Sequence, residues 1–356
     1  MYYESLSALK DFVSSSALSS EDQLMIMVGD KSADQVAEMI QFLNERNVSF
    51  FGGIFPGLIV GKENKRDGFI AEILQPVYSS LVLPFMMRFS QDKEKLKGYT
   101  AIVFVDGLSG KVKDLTDTLV GKLGSNVTYV GGGAGYYDMI HRPCIFNSKQ
   151  VCQDAMYVCI VKNETHLAVE HGWRKLNGPY FTKNSHDNIL TDLDNYTAFE
   201  IYRRVIEEEE NLTLFKEDFF LYAKDHPFGI LEEDGSIIVR DPVSVNEKDE
   251  IVCVAGIPAG SEVYVLKGDC DSLLESSMKI TIAARLNAPE KYKPLLFDCI
   301  SRAMFLEDRF TEELENIQGG MRYCVEGALS LGEIACRDNG ELVIHNKSTV
   351  LAVMDI

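Results

Sequence analysis

The chain has 356 residues, a formal net charge of −19 at pH 7 and a hydrophobic fraction of 46%. This length exceeds that of one ordinary hydrophobic core, so the sequence predicts two domains. The hydrophobic fraction is typical of a soluble globular protein and excludes an intrinsically disordered chain. The acidic charge argues against nucleic acid or an anionic membrane as the main partner, because both require clustered lysine and arginine.

Neither the N-terminus nor any internal segment predicts membrane insertion. Residues 1–6 lack the basic start and the apolar run of a signal peptide. The longest apolar stretch, residues 80–87, contains Pro84 and is too short to cross a bilayer. The eight cysteines include no Cys-x-x-Cys pair, and the histidines have no metal-ligand spacing. We therefore expect a cytoplasmic protein with reduced thiols and no metal site.

One series of elements recurs along the chain: a strand, an amphipathic helix, a strand ending in glycines, and a hairpin. Copies are predicted at residues 24–74, 100–161 and 294–354, with a weaker copy at 198–254. In the three clear copies, the apolar residues after the first strand follow helical spacing. A single unit could not bury its sheet face alone, so the copies should share hydrophobic cores.

The repeat predicts the fold class and the domains. We expect an α/β (mixed α+β) fold of two related domains, residues 1–195 and 196–356. Each domain should contain mixed sheets with helices outside them. Packing in four layers, helix–sheet–sheet–helix, would then bury both faces of each sheet.

Local signals within the copies predict two hairpins and one bend. Residues 58–60 should pair with 69–74, and residues 340–345 with 349–354. Four glycines within residues 131–135 follow an apolar strand and predict a bend. Such a bend is either a sharp turn or bulge, or a place where a ligand contacts bare backbone N–H groups. It has neither the spacing of a Walker loop nor that of a dinucleotide site.

Several short motifs, found in order along both halves, carry a resemblance to a known family. They are Gly131-Gly-Gly-Ala-Gly135, His171-Gly-Trp173, Pro227-Phe-Gly229, Phe297-Asp-Cys299 with Arg302, Gly332-Glu-Ile334 and His345-Asn-Lys-Ser-Thr349. Through them the chain resembles the FIST sensor proteins, named for F-box and intracellular signal transduction. The resemblance extends from the first repeat to the last residue.

The resemblance implies an intracellular sensor that is not an enzyme and that binds amino acids or similar small polar ligands. Without an output domain of its own, such a sensor would signal through a separate protein, such as a histidine kinase, or through homo-oligomerisation. Some relatives resemble haem proteins that sense nitric oxide, so haem binding is an alternative within this class. An alternative from another class is a cysteine-dependent hydrolase or amidase.

The motifs also imply a set of ligand-binding residues. The candidates are Gly131, Gly132, Gly133, Gly135, His171, Trp173, Cys299, Arg302, Glu333, His345, Asn346 and Thr349. We expect the glycine bend, Arg302, Glu333 and Asn346 to line one cavity. A zwitterionic ligand would place its carboxylate on Arg302 and its ammonium on Glu333. Asn346 and Thr349 would fix its orientation through neutral hydrogen bonds.

Arg302 has a structural alternative, which is an internal ion pair. Its partner in that case would be Glu312, Glu313 or Glu333. The sequence leaves the ligand contact and the ion pair equally open.

Cys299 could act as a nucleophile with His345 as its base, provided that an orienting group and an oxyanion hole converge on them. We favour a buried, unreactive cysteine, because free cysteine is commonly a core residue. His171 with Trp173 could form a pocket wall or ligate haem. Packing in the interior is the commoner role of a histidine beside a tryptophan.

Overall fold

The computed structural model describes residues 1–286 and 288–356. The protein has a mixed α/β fold, as the repeat predicts. Its helices are α1 (Leu6–Ser15), α2 (Val36–Glu45), α3 (Val112–Leu123), α4 (Ala198–Glu210), α5 (Phe219–Ala223), α6 (Cys270–Leu286), α7 (Ile300–Leu306) and α8 (Phe310–Gly320). Within the described part of the chain, no helix has both the length and the apolar character needed to span a bilayer.

The strands are numbered in chain order. The first fourteen are β1 (Tyr2–Tyr3), β2 (Gln23–Gly29), β3 (Ser49–Phe55), β4 (Gly57–Val60), β5 (Glu63–Lys65), β6 (Phe69–Leu74), β7 (Pro76–Val82), β8 (Tyr99–Asp106), β9 (Val127–Ala134), β10 (Ile145–Asn147), β11 (Val151–Cys152), β12 (Met156–Val161), β13 (Thr165–Glu170) and β14 (Arg174–Phe181). The others are β15 (Ser185–His186), β16 (Ile189–Leu190), β17 (Asp192–Leu193), β18 (Tyr196–Thr197), β19 (Phe228–Leu231), β20 (Ile237–Arg240), β21 (Pro242–Val245), β22 (Ile251–Cys253), β23 (Glu262–Lys267), β24 (Tyr292–Cys299), β25 (Glu326–Ser330), β26 (Glu333–Cys336), β27 (Leu342–His345) and β28 (Thr349–Asp355).

Three six-stranded sheets share one internal arrangement. In each, the first strand of a copy pairs in parallel with the strand that follows its helix, and antiparallel with the last strand of the copy. The resulting orders are β6-β2-β3 in sheet I, β12-β8-β9 in sheet II and β28-β24-β25 in sheet III. The repeat is therefore confirmed for the three clear copies, which we call unit 1 (residues 23–74), unit 2 (99–161) and unit 3 (292–355).

The short hairpin of each unit leaves its own sheet and extends the sheet of another unit. Hairpin β4–β5 of unit 1 pairs with β25 of unit 3, and hairpin β26–β27 of unit 3 pairs with β9 of unit 2. Hairpin β10–β11 of unit 2 pairs with β3 of unit 1, which closes the cycle. Strands β1, β7 and β13 complete the three sheets at their other edges. Sheets II and III thus contain strands from both sides of residues 195–196, and the domain boundary there stays a prediction.

Three local predictions are wrong. Residues 58–60 pair with β5 instead of 69–74, and residues 340–345 pair through β27 with β26 instead of 349–354. In both cases the predicted partner lies beside the first strand of its unit. The weaker copy at 198–254 is not a fourth unit, because its strands β19, β20, β21 and β22 form antiparallel pairs without the parallel pair that defines a unit. Apolar patterning predicts which segments are strands, whereas pairing depends on distant contacts.

The units pack in the four layers that the sequence predicts. Phe104 and Val130 of sheet II and Phe297 and Val350 of sheet III contribute to the core between these sheets. Helix α3 covers the other face of sheet II, with Leu119 fully buried against it. Helices α6, α7 and α8 cover the other face of sheet III. Sheet I joins the central core, with α1 and α2 packed on it.

Residues 174–267 add a further core beside these layers. Helices α4 and α5 pack with strands of two four-stranded sheets, β14-β23-β19-β20 and β15-β16-β22-β21. The Thr197 hydroxyl caps α4 by accepting a hydrogen bond from the backbone N–H of Glu200 at 3.3 Å. This region places the β19–β20 turn across a cleft from β13 and from the β26–β27 turn.

Candidate functional site

The cleft has a volume of about 1260 Å³ and is open to solvent. Strand β13 forms one wall, and the turns β19–β20 and β26–β27 form the others. Strands β13 and β27 are edge strands of sheets III and II, so the cleft lies where two sheets end. Such concave sites between structural units are common ligand-binding sites.

Carboxylates dominate the polar lining of the cleft. They belong to Glu170, Glu232, Glu233, Asp234, Asp338 and Glu341. The lining also contains Arg337, which lies 2.8 Å from Glu232 and 3.5 Å from Glu341 in ion pairs. Burial raises the pKa of Glu170 above its usual value. The excess of negative charge in a concave surface favours ligands that carry an ammonium or a guanidinium group.

Two predicted site residues, His171 and His345, line this cleft. Desolvation lowers the pKa of His171 to about 4 and that of His345 to about 3, with nearby arginines as further causes. Both imidazoles are therefore neutral at pH 7 and can donate and accept hydrogen bonds. The backbone N–H of Trp173 donates to His171 Nδ1 at 3.0 Å, which leaves the proton of His171 on Nε2.

Arg302 lies behind the cleft wall, fully buried at the start of α7. Its guanidinium contacts Glu313 at 2.5 Å and Asp298 at 3.4 Å, and it donates to the backbone oxygen of His171. The structure thus shows the internal ion pair with Glu313 that the sequence left open. Arg302 as an anchor for a ligand carboxylate stays a prediction, and its guanidinium already has protein partners.

Glu333 and Cys299 share a second part of this buried network. Ser330 Oγ donates to Glu333 at 2.8 Å, the backbone N–H of Ser348 donates at 3.3 Å, and the Cys299 thiol also donates. Desolvation raises the pKa of Glu333 to about 8. Burial, and then the charge of Glu333, raise the pKa of Cys299 well above its usual value. Both effects favour the thiol form of Cys299, and an unreactive Cys299 stays a prediction.

Thr349 and Asn346 complete the network. The Thr349 hydroxyl lies 3.1 Å from both Asp298 Oδ1 and Glu313 Oε1. Asn346 donates to the backbone oxygen of His345 at 3.0 Å, and its Oδ1 has no hydrogen-bond partner among the described residues. Burial and the neighbouring Glu313 raise the pKa of Asp298 well above its usual value. These groups bridge strand β24 to the turn before β28.

Lys347 is a buried residue that the sequence reasoning missed. Its ammonium lies 3.2 Å from Asp241, donates to the backbone oxygen of Lys224 at 2.7 Å, and stands 5.3 Å from the ring centroid of Trp173. The Trp173 indole donates to the Lys347 backbone oxygen at 2.9 Å. The only sequence signal was a lysine in the middle of the motif His345-Asn-Lys-Ser-Thr349, which is ordinarily a sign of exposure.

The glycines at 131–135 do not form the predicted bend. Strand β9 continues through Ala134 between β8 and β26. The Gly133 N–H donates to Gly332 and the Gly135 N–H to Ile54, each at 2.7 Å. A Cβ at Gly131 would overlap the backbone oxygen of Val103, so close strand packing explains this glycine. A ligand-binding role for the glycines stays a prediction.

The predicted residues thus fall into two neighbouring groups. His171 and His345 line the cleft, while Trp173, Cys299, Arg302, Glu333, Asn346 and Thr349 are buried beside it. Within the described residues, the cleft wall contains neither Arg302 nor Glu333. The acidic lining was missed because it comes from turns far apart in sequence.

These features define a class: a mixed α/β protein in which an acidic cleft adjoins a buried polar network. Two family models match the chain, the FIST N domain over residues 23–196 and the FIST C domain over residues 198–336. Together they cover most of the sequence, and the chain belongs to the FIST family, as its motifs predict. FIST domains are associated with sensing in signal transduction. No curated protein matches the chain.

Proposed function

We propose that this protein is an intracellular sensor that binds a small polar ligand, such as an amino acid, in the acidic cleft. The observation that supports this proposal is the cleft itself, about 1260 Å³ in volume and lined by carboxylates and neutral imidazoles. Its volume exceeds the roughly 300–1,000 Å³ of typical small-molecule sites, so solvent would share the cleft with the ligand. A ligand that suits this lining carries a positively charged group, such as an ammonium.

The cleft has a complementary group for each part of an amino acid. Glu170 is half-buried and would pair with the ligand ammonium. His171 and His345, both neutral, would accept or donate hydrogen bonds beside it. Arg337 would receive the ligand carboxylate in competition with Glu232.

A route from the cleft to the outer helices supports a signalling role. Arg302 donates to the backbone oxygen of His171, and it also contacts Leu273 and Ser276 of α6 and Glu313 of α8. A ligand that moves His171 would therefore change contacts of two outer helices. We propose that a separate protein, such as a histidine kinase, or a second copy of the chain reads this change.

The state of the cysteines supports a reducing compartment. All eight are free thiols, and desolvation raises the pKa of Cys144 and Cys253. Free thiols at these positions suit the cytoplasm, where disulfides are rare. The protonated state of Cys299 likewise supports sensing over cysteine-dependent hydrolysis.

Calorimetry with a panel of amino acids and amines tests the proposal. We expect at least one basic or zwitterionic ligand to bind, and Glu170→Gln to weaken its affinity about 10-fold, which corresponds to about 1.4 kcal/mol. The exposed strand residue Glu262 provides the control, because Glu262→Gln removes the same charge outside the cleft. Equal affinities of wild type and Glu170→Gln would contradict binding in this cleft.

The visible spectrum of the purified protein tests the haem alternative. A Soret band that persists through gel filtration and disappears in His171→Ala or His345→Ala would replace the amino-acid proposal. Absence of a Soret band from the protein fraction, after incubation with haem and removal of free haem by gel filtration, is the result that the acidic cleft predicts.

A further inference from the structure

Unit 2 contains a cluster of potential metal ligands at the end of β8, away from the acidic cleft. Asp106 is buried at the strand end, and His141 and Asp154 come from the segments before β10 and before β12. His141 Nε2 lies 2.8 Å from Asp106 Oδ2 and 3.7 Å from Asp154 Oδ1. All three ligand atoms lie within 4.8 Å of one another. The residues are up to 48 positions apart in the chain, so no short metal-ligand motif contains them.

In the other two units, an aspartate near the end of the first strand forms an ion pair with an arginine. In unit 1, Arg66 forms two hydrogen bonds with Asp30, at 3.0 and 2.7 Å. In unit 3, Arg302 lies 3.4 Å from Asp298. Arg66 balances one carboxylate in unit 1, whereas Arg302 is shared between Asp298 and Glu313 in unit 3.

Unit 2 has a second carboxylate at this place instead of an arginine. Among the described residues, no lysine or arginine forms an ion pair with Asp106 or Asp154, and His141 is their shared partner. A bound cation would supply here the positive charge that an arginine supplies beside the aspartates of units 1 and 3.

We propose that Asp106, His141 and Asp154 bind a divalent transition-metal ion. Ligand atoms that are about 2.0–2.1 Å from a tetrahedral zinc ion lie about 3.3 Å from one another. The two separations from His141 Nε2, 2.8 and 3.7 Å, bracket this value, and the carboxylate oxygens of Asp106 and Asp154 lie within 4.8 Å of each other, so side-chain adjustments would create the site. A mixed set of imidazole and carboxylate ligands suits zinc or manganese better than calcium, which prefers oxygen ligands alone.

Neighbouring groups hold the three ligands in place. The Leu108 N–H donates to Asp106 Oδ1 at 3.3 Å, and Ser109 Oγ donates to Asp154 Oδ1 at 2.5 Å. The Gln153 amide lies 3.0 Å from His141 Nδ1. With metal on Nε2, the His141 proton moves to Nδ1 and the Gln153 amide turns its oxygen toward it.

The exposure of the ligands predicts an open site. The Asp106 side chain is 1% exposed, whereas those of His141 and Asp154 are 32% and 47% exposed. Three protein ligands on one side leave room for water or a small anion on the other, as in catalytic and exchangeable metal sites. The proposal is independent of ligand binding in the cleft.

Zinc titration of chelator-treated full-length protein, under reducing conditions, tests the proposal. We expect one Zn²⁺ per chain by calorimetry, and a loss of affinity of about 100-fold or more in His141→Ala and in Asp154→Asn. His186→Ala is the control, because His186 is an exposed histidine outside the cluster. Circular dichroism identifies any variant that fails to fold, and Asp154→Asn preserves the size of the side chain.

Cobalt substitution supplies a second readout. Co²⁺ bound by the three proposed ligands should give visible absorption bands that Asp154→Asn changes and His186→Ala does not. Absence of zinc binding in the wild type would overturn the proposal. The proposal would also be overturned if His141→Ala and Asp154→Asn both bound zinc as tightly as the wild type. That result would assign the zinc ion to cysteine thiols. Equal binding of Ca²⁺ by wild type and His141→Ala would overturn the transition-metal assignment.

Discussion

Arg302 is the largest side chain among the fully buried residues, and its charge is balanced inside the protein. Glu313 lies 2.5 Å from its guanidinium and Asp298 lies 3.4 Å from it. A buried ion pair contributes little net stability compared with apolar residues, but removing one partner leaves the other charge buried and unpaired. The structure therefore gives Arg302 a structural role, whatever its contribution to ligand binding.

Arg302→Met should lower the free energy of unfolding by about 3–5 kcal/mol, because Asp298 and Glu313 would remain buried without their cation. Denaturant unfolding measures this change. Arg309 is the matched control, since it pairs with Glu312 and Asp271 at the surface, and Arg309→Met should leave stability nearly unchanged. Equal effects of the two substitutions would contradict the structural role.

Glu333 should make the protein less stable as pH rises. Its pKa is about 8 in the folded chain and 4.5 as an ordinary glutamate, so between these values the folded state binds more protons than the unfolded state. The free energy of unfolding then falls with rising pH across that window. His171 and His345, with pKa lowered from 6.5, have the opposite effect only at more acidic pH.

We therefore expect lower stability at pH 8 than at pH 6.5, and a smaller decline in Glu333→Gln. Urea unfolding at both pH values gives the two free energies. Glu262→Gln, at an exposed strand position, should keep the wild-type decline. A decline that is the same in Glu333→Gln and in wild type would show that Glu333 is already ionised in this range.

Gly131 should not tolerate a side chain. Its Cβ would overlap the backbone oxygen of Val103 in the neighbouring parallel strand, and overpacking of this kind typically costs about 1–3 kcal/mol. Gly131→Ala should therefore lower the thermal midpoint. Gly121, in the exposed part of α3, has no atom near the Cβ position, and Gly121→Ala should raise the midpoint slightly through helix propensity. A higher thermal midpoint for Gly131→Ala than for Gly121→Ala would contradict the assignment of Gly131 to a closely packed strand.

At the scale of elements, the sequence predicted the strands and helices of the three units because apolar periodicity and glycines are local signals. It did not predict where the hairpins pair. Residues 58–60 lie beside β25 of unit 3, and residues 340–345 pair with β26, which itself joins β9 of unit 2, so the position of both hairpins depends on contacts between residues far apart in the chain. The Asp106–His141–Asp154 cluster was missed for the same reason, since folding alone brings it together.

Because hairpins are exchanged between units, we expect the two predicted halves of the chain to depend on each other for folding. A fragment of residues 1–197 would lack β26 and β27, which would leave β9 as an open edge and leave β4–β5 without β25. Exposed edges of this kind promote aggregation. We expect the fragment alone to aggregate or to unfold without cooperativity, and to form a soluble complex when it is co-expressed with residues 198–356. A monomeric fragment that unfolds cooperatively would contradict this expectation.

At the scale of the whole molecule, the net charge of −19 is concentrated in part around the cleft. The fold class and the family were accessible from sequence, because family motifs and periodicity are carried by short segments. His171 and His345 were two of the candidate residues that the motifs implied, but their shared position at the cleft was not predicted. The acidic lining was not predicted either, since it joins a strand edge with two distant turns. The negative field of the cleft should favour cationic ligands, and this preference should weaken as salt screens it.

Because charge complementarity supports the cleft proposal, the affinity of a cationic ligand should fall between low salt and physiological salt. A neutral analogue of the same size, such as the acylated amine, should bind weakly at both salt concentrations. Calorimetry of the cationic ligand and of its acylated analogue with the wild-type protein, at both salt concentrations, gives these affinities. Preference for the acylated analogue would contradict an electrostatic role for the carboxylates of the cleft.

A crystal structure of the protein with the tightest ligand of the panel tests the central claim most directly. We expect the ligand in the cleft, with its ammonium within hydrogen-bond distance of Glu170 and a polar atom within that distance of His171 or His345. We also expect Arg302 to keep its contact with Glu313. A ligand bound outside the cleft, or one that displaces Glu313 from Arg302, would contradict the account.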